Sequence, residues 1–418
     1  MIELGNVLGI IAEYNPFHNG HFYHLQKSKE ITGANYCICL ISGNFTQRGE
    51  PSIVNKWMKA YMALCGGANL VLELPTIYSV SSAENFASGA VKLLSNLGIV
   101  DTISFGAECG DLASLNNIAN VLYTEPAEYK NILSHELAKG VSYPAAREKA
   151  IMMYLNDIKR YANILSSSNN ILAIEYLKAI KAQKSNLNPL LIKREKVYYN
   201  DTRIVDDFAS ATAIRKMMIQ KEYSQVMKVV PRSTFKILGE EFKSGHVILG
   251  IEKYEKEIIY KLRMMTIDEI ANLPDVSEGL EYTIKKAADS SNNFSDLMMQ
   301  IKSKRYTQTR IQRILIYALL GISKQDMEDS RRIVPYARVL GFDDKGRNLL
   351  SEINNANSKM KVITSVNKYV QEKPKKREDK TLRALLNKDI VATDIYTLGY
   401  TNESNGKLDF TNNMIIIN

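Results

Sequence analysis

Short apolar runs separated by amphipathic stretches fill the first half of the chain. Val7-Leu8-Gly9-Ile10-Ile11-Ala12 predicts a buried strand, followed by Tyr36 to Ile41, Leu70-Val71-Leu72, Thr102-Ile103-Ser104-Phe105 and Pro189-Leu190-Leu191-Ile192-Lys193. Continuous apolar strands with helices between them imply a parallel sheet covered on both faces. Ser81-Ser82-Ala83-Glu84 has the form of a capping box opening a helix towards Leu94, and Asn170 to Ile180 is a further amphipathic stretch. After about residue 225 the strand-like runs nearly vanish, and long amphipathic stretches take over at Glu252–Met265, Glu278–Ala288 and Thr307–Leu320. The pattern predicts an α/β domain over 1–225 followed by a mostly α-helical domain over 226–418. Gln371 to Lys380 is charged enough to predict an exposed connection, and Gly399 to Asn418 is ambiguous. No internal repeat at solenoid periods is present.

Composition narrows the class without naming a chemistry. The 418 residues exceed one ordinary core, and 45% hydrophobic with 24% charged residues is ordinary for a globular protein. No apolar run approaches the roughly 18 residues of a membrane span. Met1-Ile2-Glu3-Leu4-Gly5 lacks the basic-then-apolar order of a signal peptide, so no membrane partner and a cytoplasmic location are expected. The four cysteines are too few and too irregular for a disulfide scaffold, and Cys37 and Cys39 fall on one face of a strand, where burial is expected. The net charge of +9 favours polyanions weakly, and its placement matters more.

Three of the five histidines, His18, His21 and His24, fall directly after the first apolar run in E-Y-N-P-F-H-N-G-H-F-Y-H. Imidazoles at this spacing suit either a metal site or the H-x-G-H signature of nucleotidyltransferases. Asn15-Pro16 turns the strand into a loop, and Gly20 permits close backbone approach. A helix beginning near His21 would offer free amides to phosphate oxygens, with imidazoles beside them to stabilise charge on a phosphoryl group. A metal site would want carboxylate or cysteine partners nearby, and none is evident. About 190 residues later, Phe208-Ala209-Ser210-Ala211-Thr212-Ala213-Ile214-Arg215 opens another helix. Ser210 and Thr212 offer hydroxyls at its N-terminus, and Arg215 offers a planar fork for phosphate oxygens. Alone this is a capped helix with a surface arginine; paired with H-N-G-H it is a second phosphate element.

H-N-G-H with A-S-A-T-A-I-R resembles the paired motifs of the HIGH nucleotidyltransferase superfamily. Further strings, among them G-I-I-A-E-Y-N-P-F-H-N-G-H, G-N-F-T-Q-R-G-E-P, L-V-L-E-L-P, S-A-E-N-F-A-S-G-A-V, F-G-A-E, N-N-I-L-A-I-E-Y-L, K-R-Y-T-Q-T-R-I-Q-R and A-T-D-I-Y, resemble the bacterial tRNA(Met) cytidine acetate ligase family over nearly the whole chain. The resemblance implies a Rossmann-like fold and a ligase that activates acetate with ATP as acetyl-adenylate. The acetyl group then passes to the wobble cytidine of elongator tRNA(Met). It further implies that ATP lies along Ile11, Ala12, Glu13, Tyr14, Asn15, Pro16, Phe17, His18, Asn19, Gly20, His21 and His24, with Gly106, Asn169, Arg194, Ser210, Thr212 and Arg215 completing the site. His18 and His21 would act on the α-phosphate, and Ser210, Thr212 and Arg215 on the β- and γ-phosphates. Asn170 is adjacent to Asn169, and either fits the contact. Gly106 is expected to leave room for the nucleotide. Arg48 is a candidate for the acetate carboxylate or a phosphate, and Lys56 is a second candidate cation. Mg²⁺ is expected to accompany the triphosphate.

Lys302, Lys304, Arg305, Arg310 and Arg313 crowd one region of the second half. Tyr306, Arg310, Arg313 and Tyr317 recur at helical spacing, opposite an apolar side of Ile311, Ile314, Leu315 and Ala318. A basic face interleaved with aromatics suits phosphate contact and base stacking, with Arg331, Arg332 and Arg338 as an extension. Ile301-Lys302-Ser303-Lys304-Arg305 superficially resembles the K-M-S-K-S loop of aminoacyl-tRNA synthetases, but A-S-A-T-A-I-R already fills the phosphate role. The competing readings are a small-molecule adenylyltransferase of the cofactor-biosynthesis type and a non-catalytic RNA-binding protein. The long basic second half argues against the former, and the two phosphate elements argue against the latter.

Overall fold

The structure, a computed structural model, describes residues 5–194, 207–303, 305–356 and 360–418. Five parallel strands form where the apolar runs predict them: β1 (Val7–Ala12), β2 (Tyr36–Ser42), β3 (Leu70–Leu74), β4 (Thr102–Ala107) and β5 (Asn188–Lys193). Alternate residues of one strand enter different cores. Ile38 and Leu40 of β2 join one hydrophobic cluster, whereas Cys37, Cys39 and Ile41 join another. Two-sided burial is why these segments read as unbroken apolar runs. Cys37 and Cys39 are free thiols, both buried.

The second half adds three strands that the sequence pattern did not show. β6 (Ala337–Phe342) pairs antiparallel with β3, and β7 (Val362–Ile363) and β8 (Ile415–Ile416) pair with β6. The full order is β5-β4-β1-β2-β3-β6-β7, with β8 also on β6. β6 escapes an apolar-run search because Arg338 and Gly341 interrupt it, yet all six of its residues are buried. Residues on both sides of 225/226 share one hydrophobic cluster, Met217 and Met218 with Val226, Val229 and Val230. Phe45 packs against the rings of Tyr254 and Tyr396 at 5.9 and 6.0 Å between centroids. The Ser81–Glu84 signature shifts by one residue: Ser82 caps the helix Ala83–Asn96 by accepting from Asn85 N. The charged connection is shorter than expected, because Arg377 already opens the helix Arg377–Thr397. Among the described residues no helix is long and apolar enough to cross a membrane.

The strand order reverses between β1 and β4. From β1 the chain steps outward through β2 to β3, then returns to β4 and β5 on the other side. Open α/β sheets leave a crevice at the carboxyl ends of the strands where the order reverses.

Candidate functional site

A cavity of about 430 Å³ opens at that crevice. Its wall comes from the loop after β1, the Gly43–Pro51 loop after β2, the ends of β4 and β5, the start of the helix Ser168–Ala182, and Phe208–Ala211 with Arg215. Two sequence motifs almost 190 residues apart therefore meet on one space. Asn19 Nδ2 reinforces the meeting by donating to the carbonyls of Asp207 and Lys228 at 3.0 and 2.9 Å.

The histidines are held by their own backbone. His18 caps the helix Asn19–Thr32, its Nδ1 accepting from the amides of Gly20 and His21 at 3.1 and 3.4 Å. His21 Nδ1 accepts from His18 N at 3.3 Å, and the two rings stack 3.7 Å apart. Gly20 is needed for this packing, because a Cβ there would sit 2.9 Å from the His18 ring. Burial, with the Arg194 charge second, holds His18 down at about 3. Burial and then His18 hold His21 well below the ordinary imidazole value. Both rings are thus neutral at pH 7 with Nδ1 accepting, which leaves the proton on Nε2. A neutral ring offers a directed N–H and no fixed charge, and the His21 ring also hydrogen-bonds the Pro16 carbonyl.

The cavity's positive charge comes from Arg48, Arg194 and Arg215, with Lys193 also in its lining. Arg194 follows β5, its amide donating to Ala107 O at 2.9 Å. A Cβ on Gly106 would meet the Arg194 side chain at 3.3 Å, so Gly106 makes room for that arginine as well as lining the cavity. Arg215 donates to Asn15 O and to Glu50 Oε2, both at 2.9 Å, and so ties the two loops together. Arg48 lines the cavity beside Thr46 and Gln47, and Gln47 N donates to Glu13 Oε1 at 2.7 Å. Ser210 accepts from Ala213 N as the cap of the helix Ala211–Ile219. Behind this loop, fully buried Lys59 donates to Ser42 Oγ, Gly43 O and Ser52 Oγ at 3.0, 2.8 and 3.0 Å. The sequence reading passed over Lys59 and Glu50; their signal was position in and beside the G-N-F-T-Q-R-G-E-P string.

Several expected residues lie elsewhere. Pro16, Phe17, Asn19 and Thr212 do not line the cavity; Phe17 is fully buried, packed against Tyr14 and His21. Lys56 is no candidate for substrate contact. It is fully buried, 3.0 Å from both Glu73 oxygens and 2.8 Å from Asp409 Oδ1. The asparagines separate cleanly. Asn170 is spent on Cys109 N and Ile164 O, whereas Asn169 lines the cavity and donates to Glu108 Oε1 at 2.6 Å.

The expected basic face also divides. Tyr317 is fully buried and cannot stack on a base. Arg313 pairs with Asp275 at 3.2 Å with 13% of its side chain exposed, and Arg310 donates to Asp275 O and Ser277 Oγ while covering the Tyr306 ring. The cause is packing on both sides of the helix Gln308–Leu320. Gly49, at φ 73, comes so close that a Cβ would lie 2.5 Å from Arg313 N. Lys302 and Arg305 are exposed, with Arg305 paired to Glu278; Lys304 lies outside the described residues. Arg331 contacts Asn85, exposed Arg332 approaches Glu328, and Arg338 is buried against Glu73 and Asp409.

The family described as HIGH Nucleotidyl Transferase matches residues 5–409. A tRNA(Met) cytidine acetate ligase of Acetivibrio thermocellus is 44% identical, over 98% of this chain and all of that one. One from a Thermoanaerobacter species is 46% identical over 98% and 99%. Among solved structures, Thermotoga maritima TmcAL superposes with a TM-score of 0.93 at 33% identity, over 99% of both chains. The same protein bound with alpha-thio ATP superposes with a TM-score of 0.91.

Proposed function

The chain belongs to the HIGH nucleotidyl transferase family and, within it, to the tRNA(Met) cytidine acetate ligases, and on that premise we propose that its cavity joins acetate to ATP and delivers the acetyl group to a tRNA(Met) cytidine. The observation that carries this reading is the meeting of H-N-G-H and A-S-A-T-A-I-R on one cavity at the sheet's switch point. In the first step an acetate oxygen attacks the α-phosphorus of ATP, the bond to the pyrophosphate oxygen breaks, and acetyl-adenylate remains. Charge grows on the equatorial and leaving oxygens. The Nε2–H groups of His18 and His21, with Arg194 and Arg215, supply donors and positive charge placed beforehand, which is how a site without a protein nucleophile accelerates displacement. Arg48, on the loop after β2, takes the acetate carboxylate.

In the second step the cytidine 4-amino nitrogen attacks the acetyl carbon, and AMP leaves with the electron pair while the amine gives up a proton. Arg215 exchanges its contact with Glu50 for phosphate oxygens when the triphosphate enters. Among the described residues, no group of three or more histidine, cysteine or acidic side chains is set to hold a metal ion. Mg²⁺ would accompany the triphosphate, held chiefly by the nucleotide's own oxygens. On the RNA side, Lys302 and Arg305 are exposed cations among the described residues of this segment and would contact phosphates.

Mass spectrometry of tRNA(Met) incubated with the protein, ATP and isotopically labelled acetate tests the reading: one labelled acetyl group on a cytidine is expected. ATP–pyrophosphate exchange indifferent to acetate, together with adenylation of a phosphorylated cofactor precursor, would replace it with the adenylyltransferase reading.

A further inference from the structure

Behind the cavity wall, two short hydrogen-bond chains run in directions that the donors and acceptors dictate. In the first, the Ser28 hydroxyl donates to the His24 carbonyl at 2.7 Å, and a carbonyl oxygen only accepts. That spends the single proton of Ser28, so at the 2.7 Å contact between the two hydroxyls Ser104 is the donor. Ser104 then has no proton left for His24, and the 2.9 Å contact with Nε2 requires the imidazole to donate. Burial, with the Arg194 charge second, lowers His24 to about 4, so at neutral pH the ring carries one proton. The serines place it on Nε2 and leave Nδ1 as a bare acceptor.

The second chain has one link. Asn169 Nδ2 stands 2.6 Å from Glu108 Oε1, and a carboxylate accepts. The amide nitrogen must face Glu108, which leaves Asn169 Oδ1 as the acceptor. His24 and Asn169 both line the cavity; Ser28 and Ser104 are fully buried behind it. Ser104 lies within β4 and Glu108 follows it directly, so both devices are anchored at the same strand.

We propose that Ser104 and Glu108 are positioning residues that hold His24 Nδ1 and Asn169 Oδ1 as fixed acceptors for hydrogen-bond donors on the nucleoside half of ATP. A triphosphate carries acceptors only, so a fixed acceptor is wasted on it. The donors of ATP are its sugar hydroxyls and its 6-amino group. The cavity is thereby divided by polarity, with the histidine N–H groups and Arg215 facing the phosphates and the two acceptors facing the nucleoside, while Arg194, packed on Gly106 of β4, borders both. A site built around a ligand's donor discriminates against the analogue that lacks it, because its own polar atoms are then left unpaired. The proposal deepens the ATP reading above and rests on it.

Acetate-dependent ATP–pyrophosphate exchange by the full chain provides the test, run with ATP, 2′-deoxy-ATP, 3′-deoxy-ATP and the triphosphate of purine riboside, which lacks the 6-amino group. The wild type is expected to show a KM about tenfold higher for at least one analogue. The analogue that suffers identifies the donor. In Ser104→Ala or Glu108→Ala, each of which removes the acceptor that its partner donates to, the KM for ATP should rise towards that of the analogue while kcat changes little, so discrimination shrinks. Ser104→Thr, which keeps a hydroxyl, should restore it. A purely structural role would raise every KM in parallel and leave the ratios intact, and that result overturns the proposal. Wild-type protein that uses all three analogues as well as ATP overturns it too, without any variant having to fold. Wild-type protein that shows no acetate-dependent exchange with ATP itself would instead overturn the parent reading.

Discussion

Around Lys56, cations and carboxylates face one another with no solvent between them. Lys56 and Arg338 lie against Glu73 and Asp409, and the nearby Asp389 accepts from Thr76 N and Tyr336. In the cavity, Arg48, Arg194 and Arg215 are partly exposed and point at a space large enough for a nucleotide. The first group spends its charge on joining β3, β6 and the short helix Leu408–Thr411. The second group lines the open space, where Arg215 shares its charge with Glu50 at 2.9 Å. A basic residue close to a motif in sequence therefore tells little about function until its partners are known, and Lys56 and Arg48, eight positions apart, show the two outcomes.

The harshest way to break this contrast is to remove a charge from the buried group. Lys56→Ala leaves Glu73 and Asp409 buried with Arg338 as their one remaining cation among the described contacts. Removing one partner of a buried ion pair costs about 3–5 kcal/mol. Chemical denaturation should register a loss of that order, with any loss of exchange following from loss of fold. Lys56→Arg should recover part of it. If Lys56→Ala folded normally and lost only exchange, Lys56 would belong with the cavity after all.

His21→Ala should do the reverse. Deleting a donor aimed at developing charge typically slows the chemical step by about 10²–10³. Acetate-dependent exchange should fall by that factor while the thermal unfolding midpoint stays close to wild type. A parallel loss of stability would mean that His21 serves packing against Tyr14 and Phe17, whose rings lie 4.9 and 5.9 Å away, more than catalysis.

The same contrast explains what was legible in the chain. The five parallel strands and the two phosphate motifs are local signals: an apolar run, or H-N-G-H and A-S-A-T-A-I-R. β6 was not legible, because its centre holds Arg338, and only the distant partners Glu73 and Asp409 make that burial tolerable. Asp409 itself sits in the tail that the pattern left ambiguous. Likewise Arg310 and Arg313 have the spacing of a binding face, but Asp275, 35 and 38 positions away, and the Gly43–Pro51 loop take them up. Asn169 and Asn170 were indistinguishable by spacing and separate only through Glu108 and Cys109. Helical and strand periods report which face is buried, not which partner waits there.

Titration separates the regions more gently. Burial, with the Glu73 charge second, raises Asp389 from 3.8 to about 7. Between those values the folded state holds a proton that the unfolded state has lost, so stability falls as pH rises from about 4 to 7. Burial lowers Lys59, behind the site loop, from 10.5 to about 7. Between about 7 and 10.5 the unfolded state holds the extra proton, so this group makes stability rise with pH. One proton changes stability by at most about 1.4 kcal/mol per pH unit. Asp389→Asn should flatten the acid-side slope alone, and Lys59→Met the alkaline-side slope alone, measured by urea unfolding at pH 5, 7 and 9. A single substitution that flattened both would show that the two regions titrate as one.

The smallest effect expected distinguishes cations of one short segment. Lys302 and Arg305 are exposed, whereas Arg310 and Arg313 are committed to Asp275. A lysine or arginine that contacts an RNA phosphate releases condensed counterions, and its loss lowers the slope of log binding constant against log salt by roughly 0.7–0.9. Lys302→Ala and Arg305→Ala should each reduce that slope for tRNA(Met) by about this amount, with Arg305 the lesser because Glu278 already competes for it at 2.6 Å. Arg310→Ala and Arg313→Ala should leave the slope unchanged and lower stability instead, since their guanidinium groups hold the Asp275 turn against the helix. Fluorescence anisotropy of labelled tRNA(Met) across a salt series reads the slope directly. A reduced slope in Arg310→Ala would show that RNA can draw this arginine away from Asp275, and would restore the helix Gln308–Leu320 to the binding surface that its spacing suggested.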